Sequence, residues 1–404
     1  MDGSPSPHAP LRPERAPGGE PSPHDESRRR LPPLRIWVWT AVTLVVAAVA
    51  VLLWRTSDAA ATSSTTAGAA PAVPATAPAG ELTQAWSAPL APDPGPPAQS
   101  DRVLVTDEHG LAMVDPATGA EAWHYRRSDA TLCDATAVDG NVVAVFRGTG
   151  RCDEAVALVA ATGVRDWYRT VPFGPEVELT STERIVLASS STGLDTLDPT
   201  GNTLRWHHDA GADCRVVGST VGTAGVVVLQ RCLGALQVQL LDGFSGDVVW
   251  TRDLDTGADT ARLAGADELV DVVLGDRVLV LSPTDGTTLT QLSLPAGTDP
   301  LDEPLLQTGT DDVALLWARG TLYALDSGTG QPRWQVPALG LPALSPDDAG
   351  VVTVPEDGAF VRRTLADGAE QSRSRVADVP AGGRTALVGP VVVYDTTTEV
   401  RAYR

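Results

Sequence analysis

The residues able to do chemistry are few and widely spaced. Four cysteines stand at positions 133, 152, 214 and 232, forming two pairs with gaps of 19 and 18 residues. A zinc site would call for a Cys-x-x-Cys spacing or a nearby His pattern, and the sequence has neither. The pairs are therefore read as structural disulfides, Cys133–Cys152 and Cys214–Cys232, each bridging neighbouring strands of one repeat unit in an oxidising compartment. Of the six histidines, His8 and His24 lie near the N-terminus, His109 beside a hairpin, His124 after Trp123, and His207-His208 after Trp206. Adjacent strand residues point to opposite faces, so His207 and His208 cannot readily share one metal ion, and structural or solvent-facing roles are expected. Asn141 follows Asp139-Gly140 and Asn202 follows Gly201, both in turn-like sequence. The Asp-Gly pairs at 139, 285, 357 and 367 lack the alternating acids of a calcium loop and read as hairpin turns. Gly-x-Ser-x-Gly, phosphate-loop and His-Glu-x-x-His patterns are absent. No catalytic, cofactor-binding or metal-ligating residue is assigned, and no cofactor is expected.

Charge limits the partners. Residues 81–404 hold 23 Arg against 45 Asp and Glu, a net of -22 that would repel a phosphate backbone, so nucleic acid is excluded. One segment is apolar enough to span a membrane: Ile36 to Trp54 gives nineteen consecutive uncharged residues, with Trp37, Trp39 and Trp54 near its ends. Arg28, Arg29, Arg30 and Arg35 precede it while only Arg55 follows closely. The positive-inside bias predicts a single-pass anchor with a cytoplasmic N-terminus, and a cleaved signal peptide is the competing reading, with Ala59 to Ala61 as small residues. Residues 1–35 read as a disordered cytoplasmic tail, 36–54 as the transmembrane helix, 55–80 as an Ala/Thr/Pro-rich linker, and 81–404 as the folded extracytoplasmic domain.

A repeat organises that domain. An apolar pair, often an Asp, a Gly-containing turn and a Trp recur as MVDPATGAEAW at Trp123, LVAATGVRDW at Trp167, TLDPTGNTLRW at Trp206, LLDGFSGDVVW at Trp250 and ALDSGTGQPRW at Trp334. Degenerate copies reach Thr290 and Ser372, and an orphan strand ending, ELTQAW, reaches Trp86. From Trp86 to Ser372 the spacing stays near forty residues, one four-stranded propeller blade. In the unit ending at Trp334, DDVALLWARG is read as the inner strand, TLYALD as the next and QPRWQV as the outer one. Each repeat Trp should fill the gap between neighbouring blades. The last three strands lack an outer partner, which the Trp86 strand supplies by closing the ring. The expected fold is all-β, an eight-bladed propeller of four-stranded blades with seven as the fallback, preceded by one transmembrane helix.

On these motifs, clearest at 113–123 and 324–334, residues 81–404 resemble the quinoprotein-like (PQQ-binding-like) repeat family, whose blades carry an apolar-Asp-x-x-Thr-Gly-x-x-x-Trp signature. No Trp is followed by Asp, unlike the WD40 type. The resemblance implies a propeller; in some relatives it also implies pyrroloquinoline quinone and calcium in the central funnel. Those enzymes are longer and usually show adjacent cysteines and an Asn metal ligand, whereas here no two Cys are adjacent. The expected role is a membrane-anchored module that binds or scaffolds a protein or cell-envelope polymer. A ligand sensor, or a quinoprotein dehydrogenase, is the alternative.

Overall fold

The computed structural model describes residues 34–55, 57–91, 95, 97–148, 150–255, 260–295, 304–310 and 312–404; most of the expected tail lies outside them. The chain divides into two units, 1–55 and 56–404. In the first, Leu34–Arg55 forms a helix of 22 residues with mean hydropathy 2.5, long and apolar enough to cross a membrane. Thr40 and Thr43 turn their hydroxyls back onto the carbonyls of Ile36 and Trp39, so neither polar group faces outward unsatisfied.

The second unit is an eight-bladed β-propeller, its blades numbered 1 to 8 by inner strands beginning at Ala98, Thr131, Glu178, Cys214, Ala261, Leu306, Ala343 and Gly383. Each blade is built on an antiparallel meander; successive inner strands touch from blade 1 to blade 6, from 7 to 8 and from 8 to 1, while the blade 6 inner strand touches the Gly340–Leu341 segment that leads into blade 7. In blade 8 the outer strand Gln84–Pro89 pairs with Glu399–Tyr403, so the two ends of the domain share one sheet. DDVALLWARG corrects one expectation: Val313–Ala318 is the second strand of blade 6, and Leu306–Thr310 is the inner one. Both segments are short β-rich runs, and pattern alone could not order them.

The repeat signature acts at the seams. Its Trp lies on the outer strand and donates its indole N–H to a carbonyl in the next blade's turn. The pairs are Trp86 to Pro116, Trp123 to Ala160, Trp167 to Pro199, Trp206 to Gly243, Trp250 to Pro283 and Trp334 to Leu365, at 2.8 to 3.0 Å. The turn residue against the indole has positive φ. Gly163, at φ +74, sits so close that a Cβ would lie 2.6 Å from Trp123. In blade 3 this position is Asn202 at φ 51, the best non-glycine substitute for left-handed backbone.

Residues 55–80, read as a linker, contact the propeller. Thr62–Ser64 adds a fifth strand to blade 1 by pairing with the Glu121–Arg127 strand. Beyond it the Ala67 amide bonds the Thr162 carbonyl, and Arg102 reaches the Gly68 carbonyl at 2.8 Å.

Inside the ring, polar clamps join blades. Gln307 of blade 6 accepts from the Asp267 amide at 2.7 Å and donates to Asp271 at 2.7 Å. Asp271 is fully buried and its other carboxylate oxygen has no hydrogen-bond partner, so burial pushes its pKa up to about 7.

Two outcomes follow. Gly163→Ala should cost about 2–4 kcal/mol in denaturant unfolding, combining overpacking with left-handed strain. Asp271 has a folded pKa above its unfolded one, so its stabilising protonation is complete below about pH 4 and lost as pH rises through about 7. Asp271→Asn should therefore be more stable than the native chain above pH 7, with the gap closing as pH falls. Parallel pH profiles of melting temperature check this.

Candidate functional site

Two concave regions bring polar groups together. The first is the central funnel, a cavity of about 930 Å3 to which all eight blades contribute. Its carboxylates are largely engaged. Asp134 accepts from the Ala135 and Leu179 amides, joining blades 2 and 3, and Asp267 accepts from the Thr223 amide, joining blades 4 and 5. Thr136 and Ser181 share a hydroxyl bond at 2.7 Å. The Thr180 and Thr385 hydroxyls line the cavity without a hydrogen-bond partner, and Arg384 stands 3.7 Å from the buried Asp395. The lining offers hydroxyls, one guanidinium and apolar side chains such as Leu179, Val221 and Leu387. Such a surface suits recognition of a mixed polar and apolar group.

The second is a pocket of about 520 Å3 over blade 3, walled by Phe173, Leu204 and Trp206. It contains an Asp–His–Asp bridge: His207 Nδ1 lies 2.9 Å from Asp195, and Nε2 lies 2.9 Å from Asp209. Both ring nitrogens can donate only when the imidazole is charged. The bond to exposed Asp209, then that to Asp195, holds His207 above its ordinary pKa, while burial pushes Asp195 up. His208, on the opposite face, is lowered by burial. Among the described residues, no group of three or more His, Cys, Asp or Glu could hold a metal ion.

The remaining candidates are placed structurally. Asn141 donates to Asp166 and to the Pro199 carbonyl, linking blades 2 and 3. His109 bonds the Ala130 carbonyl, and His124 contacts Ser63, Thr65 and Glu121 where the added strand docks. In the Asp-Gly pairs, Gly140, Gly286, Gly358 and Gly368 all have positive φ. The cysteines pair as Cys133–Cys152 and Cys214–Cys232. Only the second bridge joins neighbouring strands, where Cys214 faces Cys232. The first spans from the inner to the third strand of blade 2, because a bulge between Leu132 and Asp134 carries Cys133 past the intervening strand. Asp195 and Asp209 were missed from sequence. Their signal lies in strand register, which sets Asp195 opposite His207.

The imidazoles give a direct check. In an NMR titration of the propeller, His207 should titrate above the ordinary value near 6.5 and His208 below it. The contribution of His207 to stability is then full below about pH 6.5 and lost as pH rises through its raised pKa. The reverse order of midpoints would contradict the bridge.

Comparison with known proteins places this geometry. The family model PQQ_2, described as outer membrane protein assembly factor BamB, matches residues 52–213 and 154–374, well over half of the chain. No curated protein matches. Among solved structures, BamB from Moraxella catarrhalis is 17% identical over 80% of this chain and 99% of its own, with a TM-score of 0.47. The computationally designed Ika8 protein is 16% identical over 80% and 99%, with a TM-score of 0.52. Quinohemoprotein alcohol dehydrogenase ADHIIG from Pseudomonas putida HK5 is 12% identical over 82% and 78%, with a TM-score of 0.47. At 16% identity the Ika8 likeness speaks to fold alone. From the span of the family match, carried on Trp-wedged four-stranded blades, the chain belongs to the PQQ_2 family of repeat propellers, the family described as outer membrane protein assembly factor BamB.

Proposed function

We propose that this chain is a membrane-anchored extracytoplasmic propeller that binds a protein or cell-envelope partner rather than turning over a substrate. The carrying observation is the distribution of exposed apolar side chains. Among the described propeller residues, the exposed large hydrophobics are Val164, Tyr168, Val217, Leu233, Phe244, Val248, Val249 and Leu344, and all but Leu344 lie on blades 2 and 4. Single exposed apolar residues need no explanation, but Phe244, Val248 and Val249 fall within six residues at the third-to-fourth turn of blade 4, and that cluster supports a recognition surface there. Phe244 also carries the Arg205 guanidinium 4.9 Å from its ring centroid. Aromatic and Arg side chains are the types enriched where partners dock.

The location is supported by the apolar helix, the excess of Arg before it, and the two disulfides, which persist in oxidising compartments. The family description, an outer membrane assembly factor, is of a kind with a scaffold that holds another protein.

Affinity capture tests the reading. Tagged full-length chain, solubilised from the source envelope, should enrich a discrete partner over an unrelated tagged membrane protein. The double variant Phe244→Ser/Val248→Ser should lose that partner about 10-fold or more, while Leu344→Ser retains it. Equal recovery by all three, or no enrichment by the native chain, would count against it.

A further inference from the structure

The two ends of the ring differ. Because every blade is an antiparallel meander, the hairpins joining second to third strands open where the inner strands begin. At that end blades 2 and 4 carry the disulfides, while blade 3 between them turns tightly at Ser190–Gly193. The pocket holding Asp195, His207 and Asp209 opens there, and a shallower depression lined by Glu176, Glu178 and Arg215 continues it toward blade 4. Arg151 borders the pocket with its guanidinium on the Pro172 and Phe173 carbonyls.

The blade 4 hairpin presents Leu233 at its tip. Leu233 is 87% exposed and has φ 50, followed by Gly234 at φ 92. Both central residues of such a turn need left-handed backbone, where Asn or Gly is favoured and Leu is strained. Arg319-Gly320 has the same conformation, but the Arg319 guanidinium is tied to the Gly275 carbonyl and Asp276. Leu233 has no such anchoring of its side chain, yet the hairpin under it is firmly held. Cys214–Cys232 closes its base, the Leu233 amide bonds the Asp213 carbonyl, and Arg231 bonds the Gly234 carbonyl. Arg215 and Arg231 are exposed and directly opposed across the two strands, a like-charge pairing that costs stability in the free chain. A strained apolar tip above two arginines paired across the strands, pre-ordered by a disulfide, is built to meet an apolar pocket with an acidic mouth.

The blade 3 pocket of a second copy has that character. It is walled by Phe173, Leu204 and Trp206, and at its mouth the four carboxylates of Asp195, Asp209, Glu176 and Glu178 outnumber the cations His207, Arg151 and Arg215. Tip and pocket lie at the same end of neighbouring blades, so a two-fold axis can satisfy both at once and the contact closes as a dimer. We propose that the chain self-associates through this end of the ring. Leu233 of each copy enters the blade 3 pocket of the other, and Arg215 and Arg231 meet Asp209 and Glu176 at its mouth. The contact is separate from the Phe244 and Val248 surface, which lies at the turn between third and fourth strands. Failure of either reading therefore leaves the other standing.

Site-specific photo-crosslinking tests it in the full-length chain in its membrane. Leu233→p-benzoyl-phenylalanine should give a dimer-sized adduct whose crosslinked peptides map to 172–177 or 204–209 of the second copy. An Arg215→Glu/Arg231→Glu background should cut the yield about 10-fold, and adding Asp209→Arg should restore part of it. Leu233→Asn creates the favoured Asn-Gly turn, so this variant should fold at least as well while losing the dimer on native gels and in sedimentation. Intact mass confirming both disulfides in every variant separates a lost contact from a lost fold. No dimer adduct, or adducts mapping only elsewhere or only to another protein, would overturn the proposal.

Discussion

The ring is held by an indole laid against the turn of the next blade. Each repeat Trp makes one hydrogen bond through its N–H and presses its face on a residue with left-handed backbone, so two demands converge on one turn position. A larger residue there would collide with the ring, and a β-region residue would move the carbonyl that receives the N–H. Trp86 makes this contact with the Pro116 turn across the junction of blades 8 and 1. The closing seam is thus the same as the internal ones, and no blade is left with an open inner edge to recruit another chain.

Two seams lack the wedge, and both are fastened by other means. Between blades 5 and 6, Thr290 stands where Trp would be, and the Gly330 turn packs on Leu289 and Val280. There Gln307 crosses the seam to the Asp267 amide, the Leu269 carbonyl and Asp271. Gly265 is required beside it, since a Cβ would fall 2.0 Å from the Gln307 amide oxygen. Between blades 7 and 8, Ser372 replaces Trp. That seam is joined by a parallel pairing of Gly340–Leu341 with Gly383 and Arg384, and by Tyr394 bonding the Gly383 amide and the Leu339 carbonyl. Phe360 packs against Tyr394 and Tyr403 across the same gap. Loss of an indole, with the large apolar area it buries, is offset by contacts particular to each seam.

What could be read from sequence follows this division. The outer strand, its turn and the blade count were legible because one physical contact recurs with a period near forty residues. The apolar helix Leu34–Arg55, long enough to cross a membrane, was legible by length and hydropathy alone. Inner strands carry no recurring demand, so Val313–Ala318 was taken for the inner strand of its blade. Each cysteine pair was visible from its spacing, yet the bulge that lets Cys133 reach the third strand has no signature. Asp195 and His207 are twelve residues apart, and only the strand register makes them neighbours. Asn202 was placed correctly in a turn, but that it substitutes for glycine against Trp167 needed the backbone angle.

The same division says where function can reside. Every Trp contact uses the turn between third and fourth strands, so packing fixes the turn backbone at that end of the ring and leaves only outward side chains such as Phe244 and Val248 free for recognition. The opposite end has no wedge, and its hairpins vary from the two-residue Leu233-Gly234 turn of blade 4 to the longer Ser190–Gly193 turn of blade 3. Loops freed from packing are where recognition can be built, but freedom brings disorder, and ordering a loop on binding weakens the complex. The two disulfides and the Asp195–His207–Asp209 bridge all lie at this unconstrained end, on three consecutive blades. They supply, by covalent and ionic contacts, the rigidity that tryptophan supplies at the other end, and so make the variable face of the propeller a preformed one.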